Sequence, residues 1–290
     1  MSETAVPRPN QGVIEVEGAQ LSYVIEGEGP ACLVIGSATY YPRTFSPELR
    51  KNLQLIFVDA RDFAPSNPGF DDTTVTLDTL AQDIETARTK LGLGKVIVIG
   101  HSIHGLLAAE YTRRFPQNVS HTVILNTPPV GITQMTPVSN AFWETEGSAE
   151  RKQILKENLE KLAVIAPGLS PEELLVKTYV YSSPKYWYDP RYDCSWCWEG
   201  VVANMPFTAH LYNTLLGHYD LDQGPGKITG PVYYGLGRHD YVVPFTLMDE
   251  SQQAKLPNLT FEMYEQSGHT PQLEEPELFN RRLLGWLQSH

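Results

Sequence analysis

A serine hydroxyl becomes a nucleophile only when a base takes its proton and a third group holds that base in line. Ser102 lies in VIVIGHSIHG (96–105), where four β-branched residues run into a Gly-His-Ser turn. HGLLAAEYTRRFP (104–116) follows at once with apolar Leu107, Ala108 and Tyr111 on a helical period. A buried strand, a tight turn and an immediate helix would raise the Ser102 hydroxyl above a sheet and set a helix N-terminus beneath developing negative charge. The pattern departs from G-x-S-x-G at one position: His104 stands where the second Gly is expected, and Gly105 follows.

Eight histidines compete for the role of base. His101 and His104 sit in the turn itself, too close in sequence to aim a ring at Ser102 from across a site. His121 falls in a buried strand, His210 and His218 in a helical region, and His290 at the end of the chain. His239 adjoins an aspartate. His269 follows the last strand in SGHTPQLEEPELF (267–279), on a loop at the carboxyl edge where open α/β sheets place their sites. The acid should lie on a similar loop. Asp240 follows VYYGLGRH directly, whereas the end of the strand after the Ser102 turn holds Asn126, which cannot serve as an acid. The order Ser102, Asp240, His269 is the one expected for this type of turn.

The elements that must position these residues are legible along the chain. GVIEVEG (12–18) and AQLSYVIEG (19–27) alternate and meet at a Gly, which predicts a hairpin. ACLVIGS (31–37), LQLIFVDA (53–60) and VSHTVILNTPP (119–129) are continuous apolar runs, as in parallel strands covered on both faces. TTVTLDTLAQDIETARTKLGLG (73–94) carries Leu77, Leu80, Ile84, Ala87 and Leu91 on one stripe, with Gly92 as its stop. PVYYGLGRHD (231–240) and LTFEMYEQSG (259–268) read as strands separated by a helical stretch, and PELFNRRLLGWLQ (276–288) as a closing helix. This alternation predicts a mainly parallel, doubly wound sheet.

Residues 130–226 are too long for a loop between two such elements. They read as helices: SAERKQILKENLEKLAVIA (148–166), SPEELLVKTYVYS (170–182) and a stretch from Trp196 through NMPFTAHLYNTLLGH (204–218). Eight aromatics crowd 179–198, including Trp187 and Trp198. Residues 1–130 and 227–290 therefore form the expected core, and 131–226 a helical cap whose aromatics face a pocket, glue the cap to the sheet, or do both.

Composition limits the alternatives. The 290 residues carry a net charge of −12, which disfavours nucleic acid and anionic membrane and favours a small neutral or cationic partner. No apolar run approaches the ~20 residues of a membrane span. MSETAVPRPNQG has no basic segment followed by an apolar one, so no signal peptide is read and a cytoplasmic, soluble protein is expected. Three cysteines are too few for a disulfide framework. Cys194 and Cys197 lack the second pair that zinc needs, so packing in the cap is their expected role and no metal or other cofactor is expected. Asp189, Asp193 and Glu199 are either solvated or, in a peptidase, holders of a substrate amine. His104 either fills space under the cap or touches substrate. The oligomeric state is left open.

On LVIGS (33–37), VDARDFAPS (58–66), GHSIHG (100–105), GLGRHDYVVP (235–244) and GHTPQLEEPELF (268–279), the chain resembles the α/β-hydrolase fold superfamily. Within it the resemblance is to the capped hydrolases that include proline iminopeptidases, carboxylesterases and meta-cleavage-product hydrolases. The resemblance spans nearly the whole chain and implies an eight-stranded sheet with a helical cap. It makes Ser102 the nucleophile, His269 the general base and acid, and Asp240 its orienting group. It also implies an oxyanion hole from the backbone N–H groups of Ser37 and Ile103. The pocket expected under the cap includes Tyr40, His104, Trp187, Trp198 and Glu199. Two departures bear on substrate: Ile35-Gly36-Ser37-Ala38-Thr39 replaces the His-Gly-Gly-Pro-Gly of proline iminopeptidases, and Arg61-Asp62-Phe63-Ala64-Pro65-Ser66 replaces the usual Arg-Gly-x-Gly-x-Ser. Dehalogenases and epoxide hydrolases of the superfamily use an aspartate nucleophile, so Ser102 argues against both. The expected function is hydrolysis of an ester, lactone or related acyl bond of a small, partly apolar substrate. The alternatives are an iminopeptidase-like aminopeptidase, a C–C bond hydrolase and a non-hydrolytic small-molecule receptor.

Overall fold

A computed structural model of the chain describes residues 10–221 and 227–290. The leader reading therefore falls largely on residues 1–9, outside the described residues, as do 222–226 of the expected cap.

β1 (Gln11–Val16) and β2 (Ala19–Glu26) form the expected hairpin, turned at Gly18 with φ +76°. β3 (Ala31–Gly36) and β4 (Gln54–Asp59) follow as nearly fully buried strands. α1 (Leu77–Lys90) begins at Thr76, which exchanges side-chain and backbone hydrogen bonds with Thr79, and stops before Gly92 in the left-handed region. The stripe Leu80, Ile84 and Ala87 is buried. β5 (Val96–His101), α2 (His104–Arg114) and β6 (Val119–Leu125) come next.

A helical insertion then occupies the chain between β6 and β7: α3 (Ile132–Glu146), α4 (Ala149–Ile165), α5 (Pro171–Tyr181), α6 (Ser183–Tyr186) and α7 (Met205–His210). The sequence reading did not name α3. Pro137 lies inside it, where a missing N–H ordinarily argues against a helix. The stretch from Trp196 is also less regular than expected, a 3₁₀ turn followed by α7 and one π turn. β7 (Val232–Gly237), α8 (Glu250–Gln253), β8 (Leu259–Tyr264), α9 (Pro271–Glu274) and α10 (Pro276–Ser289) complete the chain.

The eight strands form one sheet in the order β1-β2-β4-β3-β5-β6-β7-β8, antiparallel at β1–β2 and β2–β4 and parallel elsewhere. Leu80, Ile84 and Leu107 of α1 and α2 pack on one face. Phe279, Leu283 and Trp286 of α10 pack on the other. Covering both faces is what makes β3, β4, β5 and β7 continuous apolar runs, each buried large side chain contributing roughly 1.5–3 kcal/mol. The carboxyl ends of the parallel strands point toward the helical insertion, where the chemistry-bearing loops gather.

Candidate active site

β5 ends at His101, and Ser102 takes φ +56°, a left-handed conformation uncommon for a residue with a Cβ. The turn is held from three sides. Ser102 N–H donates to the Leu125 carbonyl at 2.9 Å, while the Ser102 carbonyl accepts from Gly105 N–H at 3.1 Å and from Thr127 Oγ1 at 2.8 Å. A Cβ at Gly100 would lie 2.3 Å from the His104 carbonyl oxygen, and one at Gly105 would lie 1.9 Å from Thr127 Oγ1. Close approach therefore demands glycine at 100 and 105. Position 104 carries a buried imidazole directed to Asp62.

His269 follows β8. Its Nδ1 donates to Oδ2 of Asp240 at 2.6 Å, and its backbone N–H donates to the Tyr186 carbonyl at 2.5 Å. Asp240 has no exposure. Besides His269 it accepts from Val242 N–H at 2.9 Å, Val243 N–H at 2.8 Å and Asn126 Nδ2 at 2.8 Å, so its burial is compensated by hydrogen bonds. Asn126, at φ +44°, also donates to the Gly268 carbonyl at 3.0 Å. His101 Nε2 donates to the His269 carbonyl at 2.6 Å. Burial, helped by the neighbouring His269 and His104, holds His101 well below the ordinary histidine range, and it is neutral. Among the described residues neither Ser102 Oγ nor His269 Nε2 has a protein hydrogen-bond partner, and both residues line one cavity.

That cavity has an internal volume of about 70 Å³. Ile103, His104, Tyr40, Trp187 and Trp198 are among the residues that line it. Aromatic rings dominate its wall: Trp198 stacks on Tyr179 at 4.8 Å, and Tyr186 meets the His269 ring edge-on at 5.3 Å. Ser37 is buried at the end of β3, outside the lining, and its Oγ accepts from Thr39 and Tyr40 N–H.

Glu199 corrects the sequence reading. It follows the 3₁₀ turn Ser195–Trp198 with its side chain exposed, while its carbonyl accepts from Arg43 at 2.7 Å, so it does not line the cavity. Asp189 and Asp193 are likewise exposed, each turned back onto a nearby backbone N–H. The carboxylate that does line the cavity is Asp62, which the sequence reading passed over. Asn126, set aside as no acid, orients one instead. His101, set aside as a base, braces the backbone of another histidine. Their only sequence signal was position, at the carboxyl ends of β4, β6 and β5. Cys194 and Cys197 are buried thiols that burial pushes up to about 11 and about 12, and no metal-ligand cluster occurs among the described residues. No helix among them is long and apolar enough to cross a membrane.

Comparison with known proteins agrees with this architecture. A family model described as the alpha/beta hydrolase fold matches residues 33–162. The AB hydrolase superfamily protein YclE of Bacillus subtilis (strain 168) is 36% identical over 276 residues, spanning 95% of this chain and 98% of that one. Epoxide hydrolase 3 of Mus musculus is 24% identical, over 95% of this chain and 76% of its own. Among solved structures, the proline iminopeptidase of Mycobacterium smegmatis superposes with a TM-score of 0.71 at 16% identity, covering 97% of this chain and 98% of that one.

Proposed function

The chain belongs to the α/β-hydrolase superfamily, and from that premise we propose that it is a serine hydrolase of an ester, lactone or related acyl bond in a small, partly apolar substrate. The observation that carries the reading is the His269–Asp240 hydrogen bond of 2.6 Å, with His269 and the left-handed Ser102 on one cavity. Asp240 holds the proton of His269 on Nδ1, which leaves Nε2 as the lone pair that takes the Ser102 proton. Ser102 Oγ attacks the carbonyl carbon, the oxyanion collapses, and the leaving alkoxide departs with the proton from His269. Water then gives its proton to His269, its oxygen attacks the acyl-enzyme, and the acid product leaves as Ser102 regains its proton. The backbone N–H of Ile103, on the cavity lining, is the proposed oxyanion donor, worth about 3 kcal/mol in such sites, while the second expected donor, Ser37, lies outside that lining. Residues 131–226 act as the cap, whose aromatic wall excludes water and receives the apolar part of the substrate.

An aminopeptidase is the second reading, and Asp62 is the observation in its favour, since a buried amine needs a carboxylate. Both Asp62 oxygens, however, already face His104 Nε2, at 3.0 and 3.3 Å. An ester is therefore the better match. An aromatic or medium-chain ester is expected to exceed a prolyl amide in kcat/KM by at least ~100-fold, roughly 2.7 kcal/mol. Ser102→Ala should abolish both turnover and labelling by a fluorophosphonate. A better prolyl amide would replace the esterase reading, and labelling that survived in Ser102→Ala would remove Ser102 from the mechanism.

A further inference from the structure

The cavity carries a second histidine–carboxylate pair that the proposed mechanism does not use. His104 and Asp62 each have a side-chain exposure of 5%, line the cavity, and meet at 3.0 Å through Nε2 and Oδ2. The neighbouring hydrogen bonds limit what His104 can offer. A carbonyl only accepts, so His101 carries its proton on Nε2, facing the His269 carbonyl, and as a neutral ring it presents a lone pair at Nδ1. The Tyr41 hydroxyl has a single proton, which that Nδ1 at 3.1 Å and the His101 carbonyl at 3.4 Å both face. Asp62 accepts from His104 Nε2, so in the neutral ring Nδ1 carries the lone pair. In that state the nearest protein donor to His104 Nδ1 is the Tyr41 hydroxyl at 3.5 Å, the long limit of a hydrogen bond.

We propose that His104, oriented by Asp62, is a specificity-determining residue whose Nδ1 accepts a hydrogen bond from a substrate hydroxyl, so that the preferred substrates are acyl compounds with a phenolic or similar hydroxyl on a flat apolar body. The chemistry repeats that of the other pair: an imidazole held by a carboxylate accepts from an O–H group, in one case Ser102 and in the other the ligand. The neighbouring surface suits a flat body, with the Phe63 ring 5.5 Å from His104 and Tyr41 edge-on at 6.2 Å. The place of the scissile bond rests on the serine-hydrolase reading, whereas the hydroxyl contact does not.

Calorimetric binding to Ser102→Ala protein separates the two. The probes are 3- and 4-hydroxyacetophenone, their methyl ethers and acetophenone. At least one hydroxylated ketone should bind about 10- to 100-fold more tightly than its ether, because a buried acceptor left unpaired is what rejects the analogue. In Ser102→Ala/His104→Phe the preference should vanish, and in Ser102→Ala/His104→Gln, which keeps an acceptor oxygen, it should return in part. If the phenylalanine variant does not fold by circular dichroism, the glutamine variant and Ser102→Ala/Asp62→Asn carry the comparison, and both should weaken the preference. Equal binding of phenol and ether, tighter binding of the ether, or no binding of the phenols at millimolar concentration overturns the assignment. Fluorophosphonate labelling of the wild-type chain tests Ser102 separately, so either reading can fail without the other.

Discussion

Four donors converge on the buried Asp240 carboxylate, and one of them, Asn126 Nδ2, also holds the carbonyl of Gly268 beside His269. Asn126 is thus a positioning residue that acts through Asp240 and the His269 loop. Asn126→Gly, which tolerates φ +44° without a Cβ, isolates the loss of the amide from backbone strain. It is expected to lower kcat about 10-fold with little change in KM and to move the pH profile of kcat, whereas Asp240→Asn should cost about 10⁴-fold by favouring the wrong tautomer of His269. Steady-state kinetics on a chromogenic ester checks both. An unchanged kcat and pH profile in Asn126→Gly would reduce that residue to a structural filler.

At the scale of elements, the Ser102 turn works because two glycines let α2 fold back against β5 and the end of β6, and the His269 loop works because α9 returns a carboxylate to it. Glu274, at the end of α9, accepts from the N–H groups of Gly268 and Thr270 at 3.0 Å each and from Tyr188 N–H at 2.7 Å, joining the His269 loop to the helical insertion. Burial raises its carboxyl from 4.5 to about 7, with the Asp240 charge adding and the three N–H groups opposing. A folded pKa above the unfolded one means the native state holds the extra proton between those values. The contribution is therefore most favourable below about 4.5 and is lost as pH rises through about 7. The full change is on the order of 3 kcal/mol. Glu274→Gln removes this titration, so the stability difference between wild type and variant, from urea unfolding at pH 4.5 to 8, should shrink as pH rises. A difference independent of pH would show that Glu274 does not titrate in this window.

For the whole molecule, the proposed function requires the helical insertion to be pinned over the carboxyl edge of the sheet. Arg151 of α4 ties the insertion together and rests it on the core: it is 7% exposed, donates to the insertion's own carbonyls at Pro184 and Trp187 (2.7 Å) and Tyr188 (2.5 Å), and lies over the Tyr241 ring of the core at 5.1 Å. Ser139 of α3 adds a 2.6 Å hydrogen bond to the Val242 carbonyl, two residues beyond Asp240. Arg151→Met keeps the apolar stem but strands three carbonyls, which should cost about 2–4 kcal/mol. Because Trp187 lines the cavity, kcat/KM for the ester should also fall, mainly through KM. Urea unfolding with Michaelis kinetics tests this, and an unaltered KM would disconnect Arg151 from the cavity.

The sequence alone determined the strands, α1, α2, the turn at Ser102 and the chain order of Ser102, Asp240 and His269. These features follow from side-chain period and local backbone geometry, which neighbouring residues encode without reference to the rest of the chain. It hid α3, because Pro137 contradicts the local rule and tertiary packing overrides it. Only the tertiary structure decided which polar groups share the cavity. Asp62 meets His104 across 42 residues and Asn126 meets Asp240 across 114, while Glu199, close in sequence to the lining Trp198, turns outward. Such meetings are set where separate strand ends converge beneath the helical insertion. No period of the chain reports that convergence, since burying a polar group depends on the partner that folding brings to it.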